Sequence, residues 1–205
     1  MNTMNPVKLI SAALLGVTSL AQAIEEPTYV VVKSYDAFEV RQYNPYLVAE
    51  TVVPGPADEA GNQGFKILAD YIFGNNRGEK KIAMTAPVSQ TPVPVKLAMT
   101  APVSQAPVPG GFVVQFTMPA GYTLATLPEP VDKRVKLREV PATSVAVLRY
   151  AGGWSQATYE ENLEKLRLAV GKAGLVTVGE PILSRYNSPF SLPFMRRNEI
   201  WLTLR

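Results

Sequence analysis

KIAMTAPVSQTPVPV (Lys81–Val95) is followed without a break by KLAMTAPVSQAPVPG (Lys96–Gly110). The two fifteen-residue blocks differ only at Ile82/Leu97, Thr91/Ala106 and Val95/Gly110. Each opens with a short alternating run. In the first copy this sets Ile82, Met84, Ala86 and Val88 on one face of a strand, where a Met belongs to a core more often than to a metal. Each closes on Pro-Val-Pro, which lacks ladder donors and cannot continue a central strand. The block therefore predicts two short strands joined through residues 89–95 as a hairpin, the second handing on to Phe112–Met118. The other reading is a tandem duplication in which one copy takes the place in the sheet and the other loops out.

Outward from this block, the pattern on the N-terminal side has a helical period. Phe65, Leu68, Ala69 and Ile72 share one face, with Asn62 as the expected N-cap and Gly74 as the stop. Strand-like runs precede it at 29–32, 38–41 and 46–49, with a turn at Asn44-Pro45. On the other side Phe112–Met118 reads as a strand closed by Pro119, and residues 119–134 as turns. Strands follow at 135–138 and 145–150. A second helix is expected from a capping box of Thr158 and Glu161, with Tyr159, Leu163, Leu166 and Val170 inward and Gly174 as its stop. Strands at 175–178, extending toward Tyr186, and at 199–204 close the chain. Val40-Arg41, Ala49 and the Asn62 cap are echoed by Leu137-Arg138, Ala146 and the Thr158 cap, offset by 97 for the strands and 96 for the caps. Strand, strand, helix, strand thus occurs twice. The prediction is one α+β domain of two related halves about a pseudo-two-fold axis, with a cleft between them.

Residues 1–23 read as an export signal: Lys8, an apolar run from Leu9 to Leu20 too short for a permanent anchor, and a cleavage site at Ala21-Gln22-Ala23. The expected mature chain, residues 24–205, suits a single domain with a sizeable core. It has no further run of membrane length, so a monomeric, periplasmic or secreted protein without stable membrane insertion is expected. Twenty basic residues against seventeen acidic ones give no electrostatic footprint for nucleic acid. There is no cysteine, hence no disulfide. There is no histidine either, which excludes Ser-His-Asp and Cys-His catalysis and removes the commonest haem ligand. Acid–base chemistry would fall to carboxylates, Lys or Tyr. Ser89 with Lys81, and Glu59 with Asp70, are nominal pairs without a motif's spacing, so the chain reads as a binder rather than an enzyme.

Several segments, in order, resemble the SOUL haem-binding family. They are Phe38-Glu39-Val40-Arg41-Gln42-Tyr43, Gly64–Phe73 with Gly74-Asn75-Asn76, Ile82-Ala83-Met84-Thr85-Ala86-Pro87-Val88, Phe116-Thr117-Met118-Pro119, and Arg196-Arg197-Asn198-Glu199-Ile200-Trp201-Leu202. The likeness spans essentially the whole mature chain. It implies a pseudo-two-fold distorted antiparallel β-barrel flanked by two helices, similar to effector-binding domains of transcription regulators. It also implies a haem or other tetrapyrrole partner, held by a histidine or by an apolar surface between the first helix and the loop before the last strand. Without histidine, only the apolar mode or an unusual Met, Tyr or Lys ligand carries over. The implied surface comprises Phe65, Lys66, Leu68, Ala69 and Ile72 on the helix, and Tyr186, Phe190, Phe194, Met195 and Arg197 in the late loop. Aromatics and a Met offer a flat, polarizable face to a macrocycle, and Lys66, Arg196 or Arg197 could pair with propionates. The same loop would serve equally to cover the helix and complete the core. A carrier of another hydrophobic small molecule, or a carboxylate-based hydrolase in the same cleft, are the alternatives.

Overall fold

The computed structural model describes residues 25–92, 111–187 and 190–205. The expected export signal with its Ala23 site, and the second copy of the doubled block with Met99, lie outside them. Nine strands and two helices follow in order: β1 Tyr29–Ser34, β2 Glu39–Tyr43, β3 Tyr46–Val53, α1 Ala57–Ile72, β4 Val88–Pro92, β5 Phe112–Thr117, β6 Lys136–Val140, β7 Thr143–Tyr150, α2 Gln156–Lys172, β8 Thr177–Arg185 and β9 Asn198–Leu204. A single 3-10 turn, Pro193–Met195, precedes β9.

All strands join one antiparallel sheet, in the order β1-β2-β7-β9-β8-β4-β5-β3-β6, curled into a half-barrel. Without β1, this order is unchanged when β2, β3, β4 and β5 are exchanged with β6, β7, β8 and β9 and read from the other end. The sequence echo is therefore a structural one. Its axis passes between β4 and β8, where Ser89 and Ser184 are register partners with hydroxyls 3.1 Å apart. Both are buried, and each satisfies the other.

Each helix covers its own half. On α1, Leu68, Ala69, Tyr71 and Ile72 pack with Ala49, Val114, Phe116 and Met118. On α2, Leu163, Leu166 and Val170 pack with Ala146, Leu148, Ile200 and Leu202. Each buried Leu, Ile, Val, Phe or Met side chain among them contributes on the order of 1.5–3 kcal/mol. The alternate residues of β7, Val145 and Val147, join Tyr43 and Trp201 on the other face of the sheet. The Tyr43 and Trp201 rings stack with centroids 4.8 Å apart.

Three local expectations are corrected. Helix α1 begins at Ala57, with Pro56 at its N-cap position, so Asn62 lies inside the helix. Gly61 and Gly64 had hidden the first turns by interrupting the apolar period. The cap of α2 is Ser155, whose Oγ accepts the Thr158 N–H at 3.2 Å, so Thr158 is at N3. The first block copy enters the sheet only at Val88. Its opening residues are tied elsewhere: the Ile82 N–H donates to the Ile72 carbonyl at 2.8 Å and the Ala86 N–H to the Glu25 carbonyl at 3.0 Å. The face is broken accordingly, with Ile82 and Ala86 buried and Met84 41% exposed. Over Val88–Gln90 the two edges of β4 are occupied by β5 and β8, and the hairpin expected with the second copy falls on residues outside those described. The glycine stops hold: Gly74 and Gly174 adopt φ of +122° and +70° beyond the two helix ends.

Candidate functional site

The pseudo-axis determines where a site forms. Strands β4 and β8 meet there with no helix directly above them, because α1 and α2 each sit on their own half. A cavity of about 550 Å³ opens between the N-terminal ends of the helices. Its floor carries Gln90, Leu183 and Arg185, and its walls include Phe112, Trp154 and Tyr159. A smaller cavity of about 120 Å³ shares Gln90, Trp154, Leu183 and Arg185 and runs along α1 past Phe65 to Asn187. The main cavity has the size of a small-molecule site and is mostly apolar.

The floor is symmetric in backbone and asymmetric in chemistry. Around the Ser89–Ser184 pair, Val88 corresponds to Leu183 and Gln90 to Arg185. Gln90 Nε2 donates to the Ala57 carbonyl at 2.7 Å, closing off the first turn of α1. Arg185 lies against Trp154, its Cζ 4.9 Å from the ring centroid, while Arg196 approaches the same ring at 4.4 Å. The indole N–H donates to Asn198 Oδ1 at 2.9 Å and fixes the ring's orientation. Burial holds the Arg185 guanidinium below its usual range; Tyr150 opposes this shift and Arg196 adds to it.

A model of the SOUL heme-binding protein family matches residues 24–203. The chain belongs to this family. Among curated relatives, Heme-binding protein 1 of Xenopus laevis is 27% identical over 166 residues, 80% of this chain and 82% of the relative. Heme-binding protein 2 of Homo sapiens is 29% identical over 188 residues, 89% of this chain and 87% of the relative. Among solved structures, the C-terminal domain of EcmrR matches with a TM-score of 0.59 at 9% identity, covering 81% of this chain and 95% of that one. A hydrolase from Listeria innocua matches with a TM-score of 0.54 at 12% identity, covering 85% and 94%. At these identities the two structures show a shared fold and nothing more.

In this SOUL domain the residues expected at the site fall into three groups. Leu68, Ala69 and Ile72 face the sheet and are buried in the α1 core. Phe65 is half-exposed, its ring edge-on to Phe116 at 5.3 Å, and borders the smaller cavity; Lys66 beside it is exposed. The late loop divides sharply. Its apolar tip stands out, with Phe190, Phe194 and Met195 exposed by 95%, 73% and 65%. Its base is locked. Glu199, fully buried, accepts from Arg41, from Arg197 at 2.9 Å, from the Tyr186 hydroxyl at 2.9 Å and from the Trp201 indole at 2.9 Å. Arg197 also pairs with Glu26 at 2.9 Å and lies over the Tyr186 ring. Tyr186 and Arg197 thus anchor the loop to β9, in keeping with a structural role for Glu199. The tip reaches the cavity wall through Arg196 on Trp154 and through the Gly152 N–H, which donates to the Pro193 carbonyl at 3.0 Å.

Sequence reasoning missed Trp154, Gln90 and Arg185. Trp154 follows Gly152-Gly153 and directly precedes the α2 cap, and an aromatic in a loop is itself a signal. Gln90 and Arg185 had only weak ones, a polar residue ending or interrupting an apolar strand. Among the described residues no group of three or more His, Cys, Asp or Glu converges as a metal site. No helix of the described residues is long and apolar enough to cross a membrane.

Proposed function

We propose that this SOUL protein binds haem or a related tetrapyrrole non-covalently and without a histidine ligand. The surface combines the cleft at the pseudo-axis, the outward side of α1 at Phe65 and Lys66, and the apolar loop tip. Support comes from family membership together with one observation: Phe190, Leu192, Phe194 and Met195 are all more than half exposed beside an apolar cavity. A contiguous exposed patch of that kind marks an interaction surface rather than a core. Leu68, Ala69 and Ile72 support it from behind. The chain is exported, cleaved near Ala23 and acquires its ligand outside the cytoplasm. Binding through apolar burial and propionate pairing is reversible and insensitive to iron redox state, which suits a scavenger, buffer or carrier. No residue is assigned a catalytic role.

The test is titration of the mature chain with haemin and with metal-free protoporphyrin. Equal affinities are expected, and the double variant Phe194→Ser, Met195→Ser should weaken both ligands about equally. Much tighter haemin binding with a low-spin spectrum would overturn the ligand-free mode in favour of Met, Tyr or Lys ligation. Binding of neither would leave the hydrophobic-carrier and hydrolase readings.

A further inference from the structure

Arg185 is the only charged residue lining either cavity among the described residues; no Asp or Glu reaches them. It takes part in no ion pair there, and its Nε is buried without a hydrogen-bond acceptor. A guanidinium stays charged at neutral pH, and leaving such a group buried without an acceptor is costly. The expected compensation, a nearby carboxylate, is replaced by a ring and a second cation, Trp154 and Arg196. Gln90, its mate across the axis, shows what a neutral side chain does at the same place: it turns its amide N–H to the Ala57 carbonyl. The indole is tethered to Asn198, so Arg185 is held against a fixed surface while its donors border the cavity.

We propose that the cleft selects organic anions, an apolar body carrying a carboxylate, and that Arg185 is the group that binds the carboxylate. The apolar walls take the body, Trp154 offers it a flat face, and the Arg185 donors form charge-assisted hydrogen bonds with the head. A cation of the same shape meets the Arg185 guanidinium and no acid. The assignment shares the cleft with the tetrapyrrole reading but requires neither iron nor a porphyrin ring.

Three probes with one ring system separate charge from shape: 1-pyrenebutanoate, 1-pyrenebutanol and 1-pyrenebutylammonium, titrated against the mature chain by fluorescence and calorimetry. The carboxylate should bind roughly ten- to a hundred-fold more tightly than the other two, the range of one charge-assisted hydrogen bond. In Arg185→Gln the three affinities should converge, and Arg185→Lys should keep part of the preference. Circular dichroism and thermal melting check that the variants are folded, and the wild-type ranking reads the proposal by itself if Arg185→Gln is not. Equal binding of acid and alcohol, preference for the ammonium, binding of none of the three, or an unchanged preference in folded Arg185→Gln would each overturn it. A chain that ignores haemin yet prefers the carboxylate would remove the haem reading and keep this one; the reverse result would do the opposite.

Discussion

Gly64 lies in the middle of α1, where glycine is a poor helix former. Replacing it with Ala should add about 1 kcal/mol of stability on propensity alone. The structure predicts the opposite sign. A Cβ built on Gly64 would lie 2.5 Å from Val114 Cγ2, 2.6 Å from its Cβ and 3.1 Å from its Cγ1. Carbon atoms in ordinary contact sit about 3.5–4.0 Å apart. The overlap includes Val114 Cβ, so no side-chain rotation relieves it. Helix α1 must rise from β5 by about an ångström, loosening Leu68 and Ile72 at the same time. Overpacking of this kind costs typically 1–3 kcal/mol, and here the upper end applies. After the propensity gain, Gly64→Ala should lose about 2 kcal/mol, which for a domain of this size lowers Tm by about 4–8 °C. Gly171 in α2 is the internal control. Its added Cβ meets nothing within 4 Å, so Gly171→Ala should raise Tm by about 2–4 °C. Differential scanning calorimetry of the two variants reads the signs directly. In a double-mutant cycle, Gly64→Ala and Val114→Ala should couple by about 1 kcal/mol, because Val114→Ala removes the two γ-carbon contacts while the contact with its Cβ remains. The packing argument is refuted if Gly64→Ala melts as high as Gly171→Ala, or if the cycle shows no coupling.

Glu199→Ala strands Arg41, Arg197, Tyr186 and Trp201 around a lost carboxylate. It should cost about 3–5 kcal/mol in urea unfolding, more than exposed ion pairs such as Lys165–Glu161 return. Ser155→Ala removes the side-chain cap of α2 and should cost about 1 kcal/mol, with Ser155→Asn close to wild type. Alkaline pH should destabilise the fold. Burial, with Tyr122 acting in the same direction, pushes the Tyr71 hydroxyl up to about 12 from an ordinary value of 10.0. Its contribution is complete below pH 10, where both states hold the proton. Above that, the unfolded state ionises first, and stability falls by about 1.4 kcal/mol per pH unit for this group until the folded state also titrates. Burial also raises Tyr43, Tyr46 and Tyr186, which steepens the fall. Denaturant midpoints measured between pH 9 and 12 check this, and a flat profile would contradict the burial of these rings.

The fold was legible because its signals are periodic. The inward faces of both helices, the strand runs and the duplicated order could all be read from spacing, and the offset of 97 between halves reappears in the starts of β2 and β6 and of β3 and β7. What failed was local. The opening of the doubled block has a strand's alternation, yet its backbone donors serve α1 and the N-terminal segment, a tertiary demand that no pattern of side chains discloses. The α1 start was masked by Gly61 and Gly64, whose value lies in close approach to Gln90 and Val114. The site was half legible. The apolar loop tip announced itself by composition, and the Arg197–Glu199 anchor by charges flanking an apolar strand. The cleft floor is made by a strand pairing between residues about 95 apart, so Gln90 and Arg185 had no reason to be read together.

The strand order also shows how the two halves hold each other. The hairpin of β1 and β2 makes no pairing with its own half; it lies on β7, and β6 in turn lies on β3. Each half lends an arm to the other. An arm lent within one chain has the same geometry as an arm lent between two, so two copies could trade β1–β2 hairpins without losing a single strand pairing. What governs such an exchange is the connection from Tyr43 to Tyr46: while it can turn the chain back within one copy, the lent arm stays at a far higher local concentration than any neighbour's, and a hinge too short to make that turn would release it. Shortening that connection is the simplest way to turn this architecture into an interlocked pair.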